Sequence, residues 1–315
     1  MENRGMQTSD FSKEIIAAYE KARRLLRRPE VRGIAIGTPI RAGNLEDALG
    51  ICVYVSQKVE EKFLPNSQIL PKDIDGVRVD VVERAHRPLA LSPVELRQRQ
   101  AVPANRLQPG IAISLPEREM GTLGLMVRDQ LRGNRLSVLS AAHVLEPRDG
   151  ASREVLQPAW RNFGRRIGTV VSSIFDSDGD AAIAELEPNT AFRRAPIGLD
   201  APTGTRRVQI NEEVRKSGAR TGTTSGVVHA VGEFTVDYGS GVELHMFGFE
   251  VRPLPGNTEE ISEAGDSGAA LIAASDNQAV GLLVADDRNG RANPEEYILA
   301  CHLDLVFIRL GLKLA

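Results

Sequence analysis

The stretch Glu263-Ala264-Gly265-Asp266-Ser267-Gly268-Ala269-Ala270-Leu271 places a serine between two glycines, after an aspartate and before an apolar run. A serine hydroxyl hardly ionises near neutral pH, so it becomes a nucleophile only beside a general base and with donors that hold an oxyanion. The glycines at 265 and 268 allow a tight turn that points backbone N–H groups into one small space. The stretch predicts either a nucleophile turn or a plain turn before a buried strand.

Two further stretches favour the nucleophile turn over the plain turn. In Leu136-Ser137-Val138-Leu139-Ser140-Ala141-Ala142-His143, an apolar strand and two small residues lead to a histidine. In Asp178-Gly179-Asp180-Ala181-Ala182-Ile183-Ala184-Glu185-Leu186, an acidic turn opens an apolar strand. The order His, Asp, Ser along a chain is the order of the catalytic triad of chymotrypsin. Three motifs in this order, each at a strand end, predict a Ser-His-Asp hydrolase.

On these motifs, residues 110–315 resemble the trypsin-like, chymotrypsin-fold serine proteases, and within them the intracellular bacterial kind related to the plant narrow-leaf trypsin-like proteases. The supporting motifs are Gly121-Thr122-Leu123-Gly124, Lys216-Ser217-Gly218-Ala219-Arg220-Thr221-Gly222-Thr223-Thr224-Ser225-Gly226 and Val280-Gly281-Leu282-Leu283. The short β runs with glycine-rich turns in this part are typical of a sandwich or barrel. The resemblance implies two six-stranded barrels with the active site in the cleft between them.

The resemblance assigns each motif a role in peptide-bond hydrolysis. His143 is the expected general base, because an imidazole titrates close to operating pH. Asp180 is the expected carboxylate that orients the imidazole, with Asp176 and Asp178 as less favoured alternatives. The backbone N–H groups of Gly265 and Ser267 are the expected oxyanion hole.

The sequence departs from the family pattern at two places. Ala269 and Ala270 follow Gly268, where the family has glycine and proline. In secreted relatives the residue equivalent to Asp266 receives a new N-terminus after zymogen cleavage. Here residues 1–109 precede the protease region and no Ile-Val-Gly-Gly start is present, which argues against that route of maturation. Asp266 therefore needs another partner or contact with solvent, and activity could depend on a conformational trigger.

The substrate pocket is the least legible part of the site. Family geometry places its floor near Ile261 and its far wall at Val284, Ala285 and Asp286. An isoleucine floor disfavours lysine or arginine at the cleaved position. The same loops also carry several acidic residues, which could reverse this preference: Glu259, Glu260, Glu263, Asp286 and Asp287.

The first 87 residues predict a small α+β domain. An amphipathic helix is expected over residues 9–28, capped by Ser9 or Asp10 and ended by Pro29. Its apolar face consists of Phe11, Ile15, Ala18, Ala22 and Leu25. Short strand-like runs follow at 31–36, 50–56 and 76–83, and a proline-bearing linker is expected over 88–109.

No catalytic constellation is visible in the N-terminal region, so the sequence predicts a regulatory or docking role for it. The four arginines at the end of its helix suit a helix C-terminus, with a nucleic-acid or partner patch as the alternative. We expect residues 1–105 to bind a regulatory protein partner or to hold the protease inactive.

The composition is that of an ordinary globular protein, with 42% apolar and 26% charged residues. A net charge of −3 argues against general binding of nucleic acid or other polyanions. No signal core or apolar run of membrane-spanning length is present, and two cysteines, Cys52 and Cys301, fit a reducing cytosol. The cysteines and five histidines show no metal-ligand spacing, so neither a metal nor a cofactor is expected.

The sequence therefore predicts a cytoplasmic serine endopeptidase, regulated or of narrow specificity, that acts on a protein or peptide through an acyl-enzyme on Ser267. Two alternatives stay open. One is a non-catalytic trypsin-fold module that binds a peptide or partner; the other is a protease that cuts only itself or a single partner.

Overall fold

The computed structural model describes residues 11–41, 44–46, 48–84, 87–88, 105–116, 118–147, 151–159, 164–239, 241–257, 260–286 and 296–315. Several sequence predictions lie outside these ranges: the helix caps Ser9 and Asp10, most of the linker, and the pocket-loop acids Glu259 and Asp287. None of the helices that the structure describes is long and apolar enough to cross a membrane.

The first helix is shorter than the sequence predicts. Helix α1 spans Lys13–Ala22 and continues as a 3₁₀ turn over Arg23–Arg27. Its N-cap is Ser12, whose hydroxyl accepts a hydrogen bond from the backbone N–H of Ile15 at 3.3 Å. The prediction that Ser9 or Asp10 caps this helix was therefore wrong, because Ser12 already satisfies an orphan N–H of the first turn.

Three of the N-terminal strands form at the predicted runs, and four short strands were not predicted. In chain order the strands are β1 (Val31–Gly37), β2 (Ile40–Arg41), β3 (Asn44–Leu45), β4 (Gly50–Val55), β5 (Asp73–Ile74), β6 (Val77–Glu83) and β7 (Arg87–Pro88), of which β1, β4 and β6 are the three that were predicted. Strands β1 and β4 pair antiparallel, whereas β4 and β6 pair parallel. Helix α1 covers this sheet with Ile15, Ala18 and Tyr19, which are buried as the apolar face of an amphipathic helix should be.

Strands from the middle of the chain and the last strand, β21 (Leu312–Leu314), form a six-stranded sheet in the order β12-β13-β14-β11-β10-β21. The strands up to β14 are β8 (Ala112–Ile113), β9 (Gly121–Thr122), β10 (Leu125–Asp129), β11 (Arg135–Ser140), β12 (Glu154–Gln157), β13 (Arg165–Asp176) and β14 (Gly179–Leu186). The single-turn helix α2 (Ala142–Leu145) follows β11 directly. This sheet is the first of the two barrels that the resemblance implies.

Six later strands close a second barrel. They are β15 (Glu213–Gly218), β16 (Gly222–Asp237), β17 (Glu243–Pro253), β18 (Ala270–Ala273), β19 (Ala279–Asp286) and β20 (Ile298–His302). The pairing runs β15-β18-β19-β20-β17-β16, and β16 pairs back onto β15. The predicted fold class, mainly β with a chymotrypsin-like double barrel after a small α+β region, is confirmed.

Strand β16 is shared between the second barrel and the N-terminal sheet. Its first half pairs with β15, with Glu213 opposite Val227, and its second half pairs with β1, with Gly33 opposite Phe234. A Cβ at Gly232 would lie 2.2 Å from the Ile34 carbonyl oxygen, so only glycine permits this close approach of backbones. The N-terminal strands therefore extend the barrel sheet, while the division into 1–87, 88–109 and 110–315 as folding units stays a prediction.

The C-terminal tail joins the end of one strand to a short helix and a last strand. Cys301 and His302 end strand β20, helix α3 spans Leu303–Leu310, and β21 (Leu312–Leu314) follows. Strand β21 pairs with β10 of the first barrel, with Leu314 opposite Val127. Leu312 and Leu314 alternate with Lys313, as in a strand at the edge of a sheet. The pairing with β10 is a long-range contact, so the local sequence does not predict it.

Candidate active site

The fold brings two of the three predicted triad residues into direct contact. His143 lies in helix α2 at the end of β11, and Asp180 lies near the start of β14. Because β11 and β14 pair antiparallel, with Ser140 opposite Ala182, the end of one strand meets the start of the other. His143 Nδ1 lies 2.5 Å from Asp180 Oδ2, and the His143 backbone N–H donates to Asp180 Oδ1 at 2.9 Å.

The buried carboxylate of Asp180 stays ionised in this setting. Burial alone would raise the pKa of Asp180, but the charge of His143 and the hydrogen bonds from His143 and Tyr238 outweigh burial and lower that pKa. An ionised carboxylate only accepts hydrogen bonds, so His143 Nδ1 carries a proton and Nε2 is available as a base. This is the tautomer that a general base facing a serine requires.

The two alternative aspartates have a different role. Asp176 and Asp178 sit at the turn between β13 and β14 and both pair with the guanidinium of Arg309 in helix α3. The distance from Arg309 Nη2 to Asp176 Oδ2 is 3.0 Å. Sequence reasoning favoured Asp180 over these two, and the structure brings only Asp180 of the three into hydrogen-bonding distance of His143.

Ser267 lies in the turn before β18, and this turn packs against the end of β11, the strand that leads to His143. The backbone of Gly268 is so close to the end of β11 that a Cβ there would lie 2.1 Å from Ser140 Oγ. Ser267 is fully buried, and within the described ranges neither Ser267 Oγ nor His143 Nε2 has a hydrogen-bond partner. The hydrogen bond expected between Ser267 and His143 is thus not formed in this structure; such bonds are often long in a free enzyme and tighten only when substrate binds.

The turn presents its backbone as an oxyanion hole needs. Gly265 and Gly268 both have left-handed φ, of 108° and 87°, as the tight turn predicted for them requires. The N–H of Ala269 donates to the carbonyl of Asp266 at 2.9 Å, which fixes the peptide plane that carries the N–H of Ser267. No hydrogen bond donated by the N–H of Gly265 or Ser267 is found among the described residues, and the assignment of these two groups as an oxyanion hole stays a prediction.

Thr122 holds this turn from the first barrel and was assigned no role from the sequence. Its hydroxyl donates to the Gly265 carbonyl and its N–H to the Ser267 carbonyl, each at 2.8 Å. The same hydroxyl accepts from the N–H of Ala219 at 2.9 Å. The motif Gly121-Thr122-Leu123-Gly124 was the only sequence signal, and it identified the family without identifying this contact.

Asp266 finds its partner in a buried lysine. Lys216 Nζ, on β15, lies 2.9 Å from Asp266 Oδ2, and the two side chains are 2% and 0% exposed. Thr221 Oγ1 donates to the same oxygen at 2.6 Å, and the N–H groups of Arg220, Thr221 and Glu263 complete the shell at 2.7, 3.2 and 3.3 Å. The sequence left open whether Asp266 meets a partner or solvent; the structure shows a side-chain ammonium in place of a chain terminus.

The four predicted pocket residues are all buried, and three of them fall into two different core clusters. Ile261 packs in a core cluster with Val251 and Ile298, whereas Val284 and Ala285 belong to a different cluster. The N–H of Ile261 donates to the buried carboxylate of Glu296 at 2.5 Å. The assignment of Ile261, Val284, Ala285 and Asp286 to a substrate pocket stays a prediction.

Strand β7 pairs with the last two residues of β19, beyond the point where the pairing of β19 with β18 ends. Arg87 pairs antiparallel with Asp286 and Pro88 with Ala285. Two residues earlier on β19, the carbonyl of Leu283 accepts from the N–H of Gly268, which adjoins Ser267. A segment of the chain itself therefore lies where an extended peptide could add to the sheet edge.

Comparisons with known proteins agree with this architecture. Residues 14–82 match the family model of the NARROW LEAF 1 N-terminal domain. The chain is 26% identical over 291 residues to the protein NARROW LEAF 1 of Oryza sativa subsp. japonica, an alignment that covers 79% of this chain and 49% of that protein. The chain thus spans about half the length of this curated relative.

The solved structures that resemble the chain are serine proteases. A glutamic acid specific serine protease has a TM-score of 0.53 at 18% identity, with 66% of this chain and 100% of that chain covered. Protease A of Thermobifida fusca has a TM-score of 0.50 at 19% identity, with coverage of 67% and 98%. At this level of identity the likeness establishes the chymotrypsin-like fold alone.

The Lys216–Asp266 pair makes a direct prediction about stability. In Lys216→Met the carboxylate of Asp266 stays buried without its counter-charge, so the free energy of unfolding should fall by about 3–5 kcal/mol. The matched control is Lys21→Met, which breaks the exposed pair with Asp75 and should cost under about 1 kcal/mol. Urea unfolding of both variants measures the difference; equal stabilities would contradict a structural role for the buried pair.

Proposed function

We propose that the chain is a serine endopeptidase that hydrolyses peptide bonds through an acyl-enzyme on Ser267. The observation that carries this proposal is the contact of His143 with the ionised Asp180, at the end of a strand that packs against the turn of Ser267. The hydroxyl of Ser267 has no hydrogen-bond partner among the described residues. In this mechanism His143 Nε2 takes the Ser267 proton and returns it to the leaving amine, while Asp180 stabilises the imidazolium.

The backbone stabilises the negative charge that develops during the reaction. The N–H groups of Gly265 and Ser267 stabilise the oxyanion of each tetrahedral intermediate, and a water activated by His143 hydrolyses the acyl-enzyme. Each oxyanion donor is worth about 10²–10³ in rate. A protein or peptide substrate would lie extended along the edge of β19, with its cleaved residue directed to the pocket of Ile261, Val284, Ala285 and Asp286.

The proposed relationship is with the narrow-leaf group of trypsin-like proteases of the bacterial intracellular kind. The match of residues 14–82 and the 26% identity to the rice protein support it. A cytoplasmic location belongs to the same proposal. Cys52 and Cys301 are both free and buried, with no disulfide between them, as is usual for a chain kept in a reducing compartment.

A fluorophosphonate probe tests the assignment of the nucleophile. We expect one adduct on the wild-type chain and none on Ser267→Ala, and a loss of peptidase turnover on the order of 10⁶ in that variant. Ser137→Ala is the matched control, because Ser137 is buried in β11 and its hydroxyl is also unpartnered. It should label at the wild-type rate.

Adduct formation that persists in Ser267→Ala would overturn the proposal. A wild-type chain that neither labels nor cleaves a peptide library would instead favour the non-catalytic binding module. The pairing of β7 with β19 favours a second candidate function, a protease limited to itself or one partner. Intact mass of the stored wild type and Ser267→Ala separates that candidate from a general protease.

We infer that the N-terminal region regulates access to this site. Its last strand, β7, lies on β19, and the guanidinium of Arg84 lies 3.6 Å from the buried carboxylate of Glu250 in β17. Ser267 is fully buried in this arrangement. A partner that moves β7 away from β19 would leave this part of β19 free to bind an extended substrate. Binding of the partner would then relieve the inhibition that β7 imposes.

A proline substitution tests this regulation. Arg87→Pro removes the backbone N–H of β7, so the strand should leave β19 and Ser267 should react with the fluorophosphonate several-fold faster. Arg87→Ala keeps that N–H and should react at the wild-type rate. If the proline variant reacts no faster than the alanine variant, β7 does not restrict the site.

A further inference from the structure

Asp180 accepts a hydrogen bond from a residue that the triad motif does not contain. The hydroxyl of Tyr238 donates to Asp180 Oδ2 at 2.5 Å, the same oxygen that His143 Nδ1 contacts. Tyr238 follows Asp237, the last residue of β16, and its N–H donates to the carbonyl of Val242 across the hairpin. The tyrosine therefore comes from the second barrel, whereas His143 and Asp180 come from the first.

The ring of Tyr238 is fixed by two aromatic neighbours. It meets Phe175 edge-on with 4.9 Å between centroids, and it lies 5.6 Å from the imidazole of His143. Phe175 is the strand partner of Asp180 in the pairing of β13 with β14. Because these neighbours restrict the ring, the hydroxyl of Tyr238 stays at one position next to Asp180.

The hairpin that carries Tyr238 is held in turn by the N-terminal region. The guanidinium of Arg23, in the 3₁₀ turn, donates hydrogen bonds to both carboxylate oxygens of Glu233, at 2.7 and 3.0 Å. Arg32 in β1 donates to Glu243 at the start of β17 at 2.7 Å. Together with the pairing of β1 and β16, these contacts fix both strands of the hairpin next to the site.

The hydroxyl is always able to donate. Burial raises the pKa of Tyr238, and the negative charge of Asp180 together with their hydrogen bond raises it further. The phenol of Tyr238 therefore keeps its proton near neutral pH, where Asp180 is ionised. Asp180 is fully buried, and a buried carboxylate that loses one of three donors is left with an unmet desolvation cost.

We propose that Tyr238 is a positioning residue of the triad, which holds the Asp180 carboxylate in the orientation that presents His143 to Ser267. This inference rests on the proposed protease function and extends it to the hairpin. Tyr238 does not touch the substrate; it acts through Asp180. The contact makes the alignment of His143 depend on a residue of the opposite barrel.

The test is Tyr238→Phe, which keeps the ring and its packing but removes the donor. We expect the rate constant for fluorophosphonate labelling of Ser267, and kcat on a peptide, to fall about tenfold or more, since a hydrogen bond to a charged group is lost. KM should stay near the wild-type value, whereas the unfolding temperature should fall by a few degrees, because Asp180 stays buried with one donor fewer. Tyr19→Phe, in the buried cluster of helix α1, is the matched control and should leave all four unchanged.

A spectroscopic readout separates this inference from the proposed function. The proton on His143 Nδ1 should give a downfield NMR resonance that shifts in Tyr238→Phe and not in Tyr19→Phe, because Asp180 then keeps only its donors from His143. The resonance requires no peptidase activity, so it tests the contact even if the wild type does not react. An unshifted resonance with a labelling rate within twofold of the wild type would overturn the role of Tyr238.

Discussion

The buried ion pair between Lys216 and Asp266 is the interaction on which the candidate site depends. Removing a lysine and an aspartate from water is costly, and the pair is tolerable only because Thr221 and three backbone N–H groups satisfy the carboxylate. Those donors come from β15, from the loop after it and from the serine turn itself. The pair therefore ties the turn at Ser267 to the wall of the second barrel.

This arrangement accounts for a nucleophile turn that is assembled with no new chain terminus. The charge that stabilises Asp266 is a side chain placed by the pairing of β15 with β18, with Lys216 opposite Leu271. Its position is fixed once the barrel closes. In the regulation proposed above, control of activity acts at a different place, the pairing of β7 with β19.

Strand β16 connects the candidate site to the N-terminal region. One half closes the second barrel, and the other half accepts β1 and leads to Tyr238. The carboxylate of Asp180 is thereby in contact with an element that the N-terminal region holds. A sequence of 16 residues in one strand, with a register shift between Val228 and Ala230, lets one element serve both purposes.

The sequence predicted the parts of the site that local chemistry defines. Small residues before His143, an acidic turn at Asp180 and glycines around Ser267 are each readable within one short stretch, and the fold class followed from their order. The partner of Asp266 and the second side-chain partner of Asp180 could not be predicted, because Lys216 and Tyr238 reach them only after distant strands pair. Ile261 shows the same limit, since its packing against Ile298 depends on a strand that follows it by more than thirty residues.

The claim that the uncut chain already has an assembled nucleophile is tested most directly by intact-mass spectrometry of freshly purified protein after reaction with a fluorophosphonate. The account predicts a single adduct on the mass of the full 315-residue chain, located at Ser267. An adduct found only on a fragment produced by cleavage before Ser267 would contradict it, because the site would then need a new terminus that the Lys216–Asp266 pair makes unnecessary.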